Sequence, residues 1–126
     1  MIGIMTLGGM LIGASAVAAD TQYHPYYFTL ETSASGYSEI CEKKSSYTCG
    51  RVSVTEPEPF GKKVHFNFTN RGYVAKSEST TMMDIGTAYL DYSVGVTMGD
   101  DLRLHAWNVT TENKGKQITV GGKFRL

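Results

Sequence analysis

The feature that most constrains this chain is strict alternation of apolar and polar residues, which only a β-strand with one buried face can use. In Gln117-Ile118-Thr119-Val120-Gly121-Gly122-Lys123-Phe124-Arg125-Leu126, the residues Ile118, Val120, Gly122, Phe124 and Leu126 fall on one strand face, and Thr119, Gly121, Lys123 and Arg125 on the other. The same period runs from Gly86 to Met98: Gly86, Ala88, Leu90, Tyr92, Val94, Val96 and Met98 share a face opposite Thr87, Tyr89, Asp91, Ser93, Gly95 and Thr97. Tyr26, Phe28 and Leu30 alternate with Tyr27, Thr29 and Glu31, and Pro25 restricts that segment to a strand start or an edge. Val64–Thr69 and Leu102–Val109 alternate as well, whereas no stretch repeats the three-four spacing of an amphipathic helix.

The chain is therefore read as all-β. Eight tyrosines, fourteen glycines and three prolines in 126 residues suit strands joined by tight turns. Turns are expected at Ser35-Gly36, Thr55–Gly61, Asn70-Arg71-Gly72, Gly99-Asp100-Asp101 and Thr111–Gly115, with two short strands between Ser38 and Thr55, the second from Tyr47 to Val54. A three-residue turn at Gly99–Asp101 would fold the long strand back on Leu102–Val109, setting Val94 opposite Ala106 and Gly95 opposite His105. Six strands are plain, and eight fit if Ser38–Val54 and Tyr73–Ser79 contribute.

Residues 1–19 carry no charge and end in small residues before Asp20, the pattern of a cleaved signal peptide. An uncleaved anchor helix is the alternative reading. Residues 20–126 then form one exported domain. Two cysteines in an exported chain are most simply one disulfide, Cys41 to Cys49, closing a short loop worth roughly 2 to 3 kcal/mol.

The terminal pattern, with Thr119, Gly121, Phe124 and Leu126 in order, resembles the assembly signal of Gram-negative outer-membrane β-barrels, which more often end in an aromatic residue. The resemblance implies an antiparallel up-and-down β-barrel of eight short strands, similar in architecture to the opacity and adhesin type. It also implies the barrel-assembly machinery and outer-membrane lipid as partners, loops that meet an unknown extracellular partner, and no cofactor. In such a barrel Glu31, Asp91, Arg103, His105, Lys123 and Arg125 would form a lumen network of ion pairs, or alternatively an ion pathway.

Lysine plus arginine equals aspartate plus glutamate, twelve each, so charge does not point to nucleic acid. No Gly-x-Ser-x-Gly, His-Glu-x-x-His or clustered cysteine and histidine suggests catalysis or a metal centre. The glycosylation-type triplets Asn67-Phe68-Thr69 and Asn108-Val109-Thr110 fall inside expected strands and are read as chance. The expected function is a small outer-membrane barrel with a structural or surface-interaction role and no enzymatic activity. The rival is a secreted or periplasmic soluble β-sandwich or small barrel that binds a partner.

Overall fold

The computed structural model describes residues 22–56 and 62–126, so the signal-peptide reading and the centre of the Thr55–Gly61 loop lie outside the described residues. In chain order the elements are β1 (His24–Leu30), β2 (Ser35–Tyr37), β3 (Cys41–Glu42), β4 (Cys49–Glu56), β5 (Val64–Thr69), β6 (Thr80–Met82), β7 (Gly86–Asp91), β8 (Asp101–Asn108), the single helical turn α1 (Thr110–Asn113) and β9 (Ile118–Arg125). The all-β reading holds. The strands form two antiparallel sheets, one in the order β1-β9-β4-β7 and the other in the order β2-β8-β5-β6, with β3 also paired to β8.

The sheets are not closed into a barrel. An up-and-down barrel pairs every strand with its neighbour in sequence. Among the described strands only β5 and β6 do so, and every other ladder joins segments distant in the chain. The alternation serves a different purpose from the one a barrel would give it. The apolar faces look at each other, with Val52, Leu30, Leu90, Ile118, Val120 and Phe124 of the first sheet packed against Val64, Phe66, Phe68, Leu102, Leu104 and Ala106 of the second. Ring contacts cross between the sheets, Tyr26 to Phe66 at 5.9 Å and Phe68 to Phe124 at 6.1 Å.

The long segment from Gly86 to Met98 corrects a second expectation. Its ladder stops at Asp91, Tyr92 makes an isolated bridge to Ser77, and Gly95 at φ 96° turns the chain in a conformation that L side chains resist. The backbone N–H of Thr97 then donates to Asp100 Oδ2 at 3.0 Å. This segment carries the chain from one sheet to the other, so β7 and β8 never pair. Ala106 lies opposite Phe66 and Gly36, and His105 opposite Asn67 and Tyr37. Val94, expected on the apolar face, is fully exposed.

The strand that ends in Phe124-Arg125 is central in its sheet, paired with β1 on one side and β4 on the other. Its register against β4 shifts between Gly121, opposite Glu56, and Gly122, opposite Val54, so Thr55 is the extra residue of a bulge. A β-carbon on Gly122 would sit on the Ser53 carbonyl oxygen, whereas one on Gly121 would meet the ring of exposed Tyr27 at 2.7 Å. Backbone cannot yield as a surface ring can. Gly122→Ala should therefore lower stability by about 3 kcal/mol or more, and Gly121→Ala by clearly less. Urea unfolding of the two variants measures the difference, and equal losses would contradict this account of the bulge.

Candidate functional site

The candidate site lies on the open side of the sandwich, where β1 and β2 part company although they are consecutive in sequence. A tight turn joins them, with Ser33 at φ 58° and the Ala34 N–H donating to the Glu31 carbonyl at 3.0 Å. β1 then belongs to one sheet and β2 to the other. Near the turn the arms touch: the space above Gly36 is filled by Leu30 and Phe28, whose side chains come within 3.0 Å of where a β-carbon would be. Farther along they enclose a cleft of about 330 Å³ between His24–Phe28 on one wall and Tyr37–Glu39 with Cys41 on the other, with Phe124 at its base. That volume is at the small end of ligand-sized pockets, enough for a few side chains or a small organic group.

The chemistry of the cleft is aromatic with a few polar groups. Tyr26 is buried, its pKa is raised by that burial, and its hydroxyl donates to the Ser53 carbonyl at 2.8 Å, so it acts as an anchored apolar ring. Tyr27 is 61% exposed and Phe28 half-buried. The ring of His24 lies 5.2 Å from that of Phe124, and its pKa is lowered by burial and by Lys44, with Glu39 opposing. The Cys41 thiol donates weakly to the Glu39 carbonyl at 3.6 Å. Burial, then the Glu39 carboxylate, raises its pKa, opposite to the direction a nucleophilic thiolate needs. Among the described residues no three or more His, Cys, Asp or Glu side chains are grouped to hold a metal ion.

Tyr37 also begins a row of rings along the outer face of the second sheet. It stacks on His105 at 4.5 Å, His105 stacks on Trp107 at 4.6 Å, and Trp107 stacks on His65 at 5.2 Å. Tyr73 meets Tyr37 edge-on at 5.0 Å, with the Arg103 guanidinium 4.6 Å from the Tyr73 ring centre. These faces cover one another, so the row offers a ligand ring edges rather than free faces. His105 is fixed through both nitrogens, Nδ1 to Asn67 Oδ1 at 2.9 Å and Nε2 to Ser35 Oγ at 3.1 Å, and burial lowers its pKa.

The residues expected to form one lumen network do not converge. Glu31, Asp91, Lys123 and Arg125 belong to the polar side of the first sheet, and Arg103 and His105 to that of the second. Glu31 accepts from Gln117 Nε2 at 2.5 Å, Arg103 donates to the Arg71 carbonyl at 3.0 Å, and Arg125 donates to the Cys49 carbonyl at 2.9 Å with its guanidinium 4.0 Å from the Tyr47 ring centre. The outer faces of two packed sheets point apart and cannot share a lumen.

Of the residues matching the assembly signal, Phe124 and Leu126 are buried between the sheets, Thr119 is half-buried and Gly121 lies under Tyr27. Cys41 and Cys49 are free thiols, on strands of different sheets. The spacing that suggested a small closed loop instead carries the chain between sheets.

Asn67 and Asn108 are both buried. The Asn108 amide donates to the carbonyls of Leu30, Glu31 and Lys116, which leaves no room for a glycan in the folded chain. The sequence reading did not connect Tyr37, Trp107 and His65 with one another. The only early signal was Arg103-x-His105-x-Trp107 on one polar strand face. Comparison with protein-family models, curated proteins and solved structures found no match.

A base whose folded pKa lies below its unfolded one binds fewer protons when folded, so its contribution is complete above the ordinary value of about 6.5 and is lost as pH falls toward the depressed folded value. Stability by urea unfolding should therefore fall between pH 7.5 and 5.5, and a His24→Gln, His105→Gln double variant should flatten that slope. An unchanged slope would contradict the burial of both rings. The cysteines give a separate expectation. Denatured, unreduced protein should release two reactive thiols per chain in a colorimetric thiol assay, and Cys41→Ala should cost about 1 kcal/mol rather than the 2 to 3 kcal/mol of a lost disulfide.

Proposed function

We propose that the chain is an exported β-sandwich that binds a partner or ligand at the cleft between β1 and β2–β3, with no chemical step of its own. The observation that carries this reading is the cleft itself. With the apolar faces turned toward each other, the sandwich leaves its edges and loops for function, and here alternate aromatic and polar groups line a ligand-sized opening beside two strand edges. Its one thiol is held toward the protonated form, away from the thiolate that a cysteine nucleophile needs. No cofactor enters this reading. Export is carried by the apolar leader at residues 1–19.

The outer-membrane barrel is the second reading, supported by the order Thr119, Gly121, Phe124, Leu126 at the end of the sequence. Against it stands the burial of Phe124 and Leu126 between two sheets, where a lipid-facing strand would expose them. Fractionation separates the two. The sandwich reading expects release of the mature protein with the soluble periplasmic or secreted fraction. Retention in the outer membrane after an alkaline wash would overturn it.

The cleft is tested by thermal-shift and chemical-shift screening against peptide, saccharide and small aromatic sets. Binding that perturbs Tyr37 and His24 should be lost in Glu39→Trp, where an exposed residue is replaced by one large enough to fill the opening. Ligands that bind Glu39→Trp as tightly as the parent would place the site elsewhere.

A further inference from the structure

We infer that the partner of the cleft is an extended peptide segment that adds to the free edge of β1 as a strand. The inference rests on the cleft being a binding site and specifies what fills it. β1 is the outermost strand of its sheet, paired only with β9 among the described residues. The alternate backbone N–H and C=O groups of such a strand point away from its neighbour, at the spacing that only another extended backbone complements along its length.

Exposed edges are normally blunted by shortness, charge or interruption. The other edges of this sandwich follow that practice. β6 has three residues, β2 and β3 are separated by Ser38–Ile40, where Ser38 Oγ accepts the Leu104 N–H at 2.9 Å, and β7 ends at Asp91, whose N–H and C=O are taken by Glu78. β1 differs from all three. It is regular over seven residues and contains no Asp, Glu, Lys or Arg. Pro25 lacks a donor and the Leu30 carbonyl accepts from Asn108 Nδ2 at 3.2 Å, which leaves Tyr26–Thr29 as the run able to pair.

The cleft supplies what a bare edge lacks, a place for side chains. A strand laid beside β1 would send alternate side chains toward the outer face, beside Tyr27, and into the space bounded by Phe28, Tyr37 and Phe124. About 330 Å³ accepts side chains of modest size, so the partner strand carries small or β-branched apolar residues at its inward positions. The backbone ladder gives affinity and the inward positions give selectivity.

The test uses three synthetic peptides against the folded chain: Lys-Thr-Val-Thr-Val-Thr-Lys, a form N-methylated at both valines, and a form N-methylated at the three threonines. N-methylation removes the donors along one edge of a strand and leaves every side chain in place. The parent peptide should bind, with hydrogen-exchange protection appearing at β1 amides and not at β6 or β7. One methylated form should bind like the parent, and the other at least tenfold more weakly.

Three peptides of equal affinity would overturn strand addition while leaving the cleft as a binding site. The same holds if no peptide binds up to about 1 mM, a weak limit even for an unoptimised segment, while other ligands still distinguish the parent from Glu39→Trp. Failure of every ligand would remove the cleft reading as well. A dimer by sedimentation with β1 protected, and no peptide binding, would overturn the proposal in favour of a second copy of the chain as the occupant.

Discussion

The contact between Phe68 and Phe124, with Tyr26 against Phe66 beside it, is the interaction on which the rest of the molecule depends, because it holds together two sheets that share few local connections. Each fully buried ring contributes roughly 1.5 to 3 kcal/mol of transfer free energy, and these rings come from β1, β5 and β9, far apart in sequence. Nearly all the ladders are equally non-local. The turns therefore specify little of the topology by themselves. What selects it is the mutual burial of two apolar faces, and β9 closes the first sheet by pairing on both sides.

Once the faces are joined, the polar groups trapped at their margins need partners, and the chain supplies them by side chains as well as by strands. Asn113 Nδ2 donates to Asn108 Oδ1 at 2.6 Å and to the Lys63 carbonyl at 2.8 Å, while Asn113 Oδ1 accepts the Lys63 N–H at 2.6 Å. This buried set ties the helical turn after β8 to the start of β5 and, through Asn108, to the end of β1. The His65–Glu112 contact at 2.5 Å adds a second tie between the same turn and the outer face. The ring row from Tyr37 to His65 covers its own faces. Outer surfaces of this kind contribute to packing and leave recognition to places where the sheets come apart.

They come apart at the β1–β2 hairpin, whose two arms are drawn into different sheets. A hairpin that stayed paired would have satisfied its own edges and left no cleft. Its division leaves one uncharged edge strand, with a pocket of aromatic walls beside it, and connects the topology of the sandwich directly to what it can bind. Cys41 and Cys49 follow the same logic. Their near spacing in sequence becomes a crossing from the second sheet to the first, and they remain thiols.

The sequence by itself determined the strands and their inward faces, because period-two alternation is a local property: Val64–Thr69 and Ile118–Arg125 lie where the pattern places them, and Pro25 sits in an edge strand as its missing donor requires. It did not determine what the apolar faces turn toward. A face that meets lipid and a face that meets a second sheet have the same alternation, and only the pairing of distant strands distinguishes them. The β7–β8 hairpin was misread for the same reason. The run from Gly86 to Met98 keeps its period throughout, but the strand ends at Asp91 and Gly95, at φ 96°, turns the chain on its way to the other sheet. The lumen network dissolved once its six members were divided between two outward faces. The cleft was invisible in the sequence because its walls belong to strands that are adjacent in the chain and separate in space, a relation that only the tertiary structure decides.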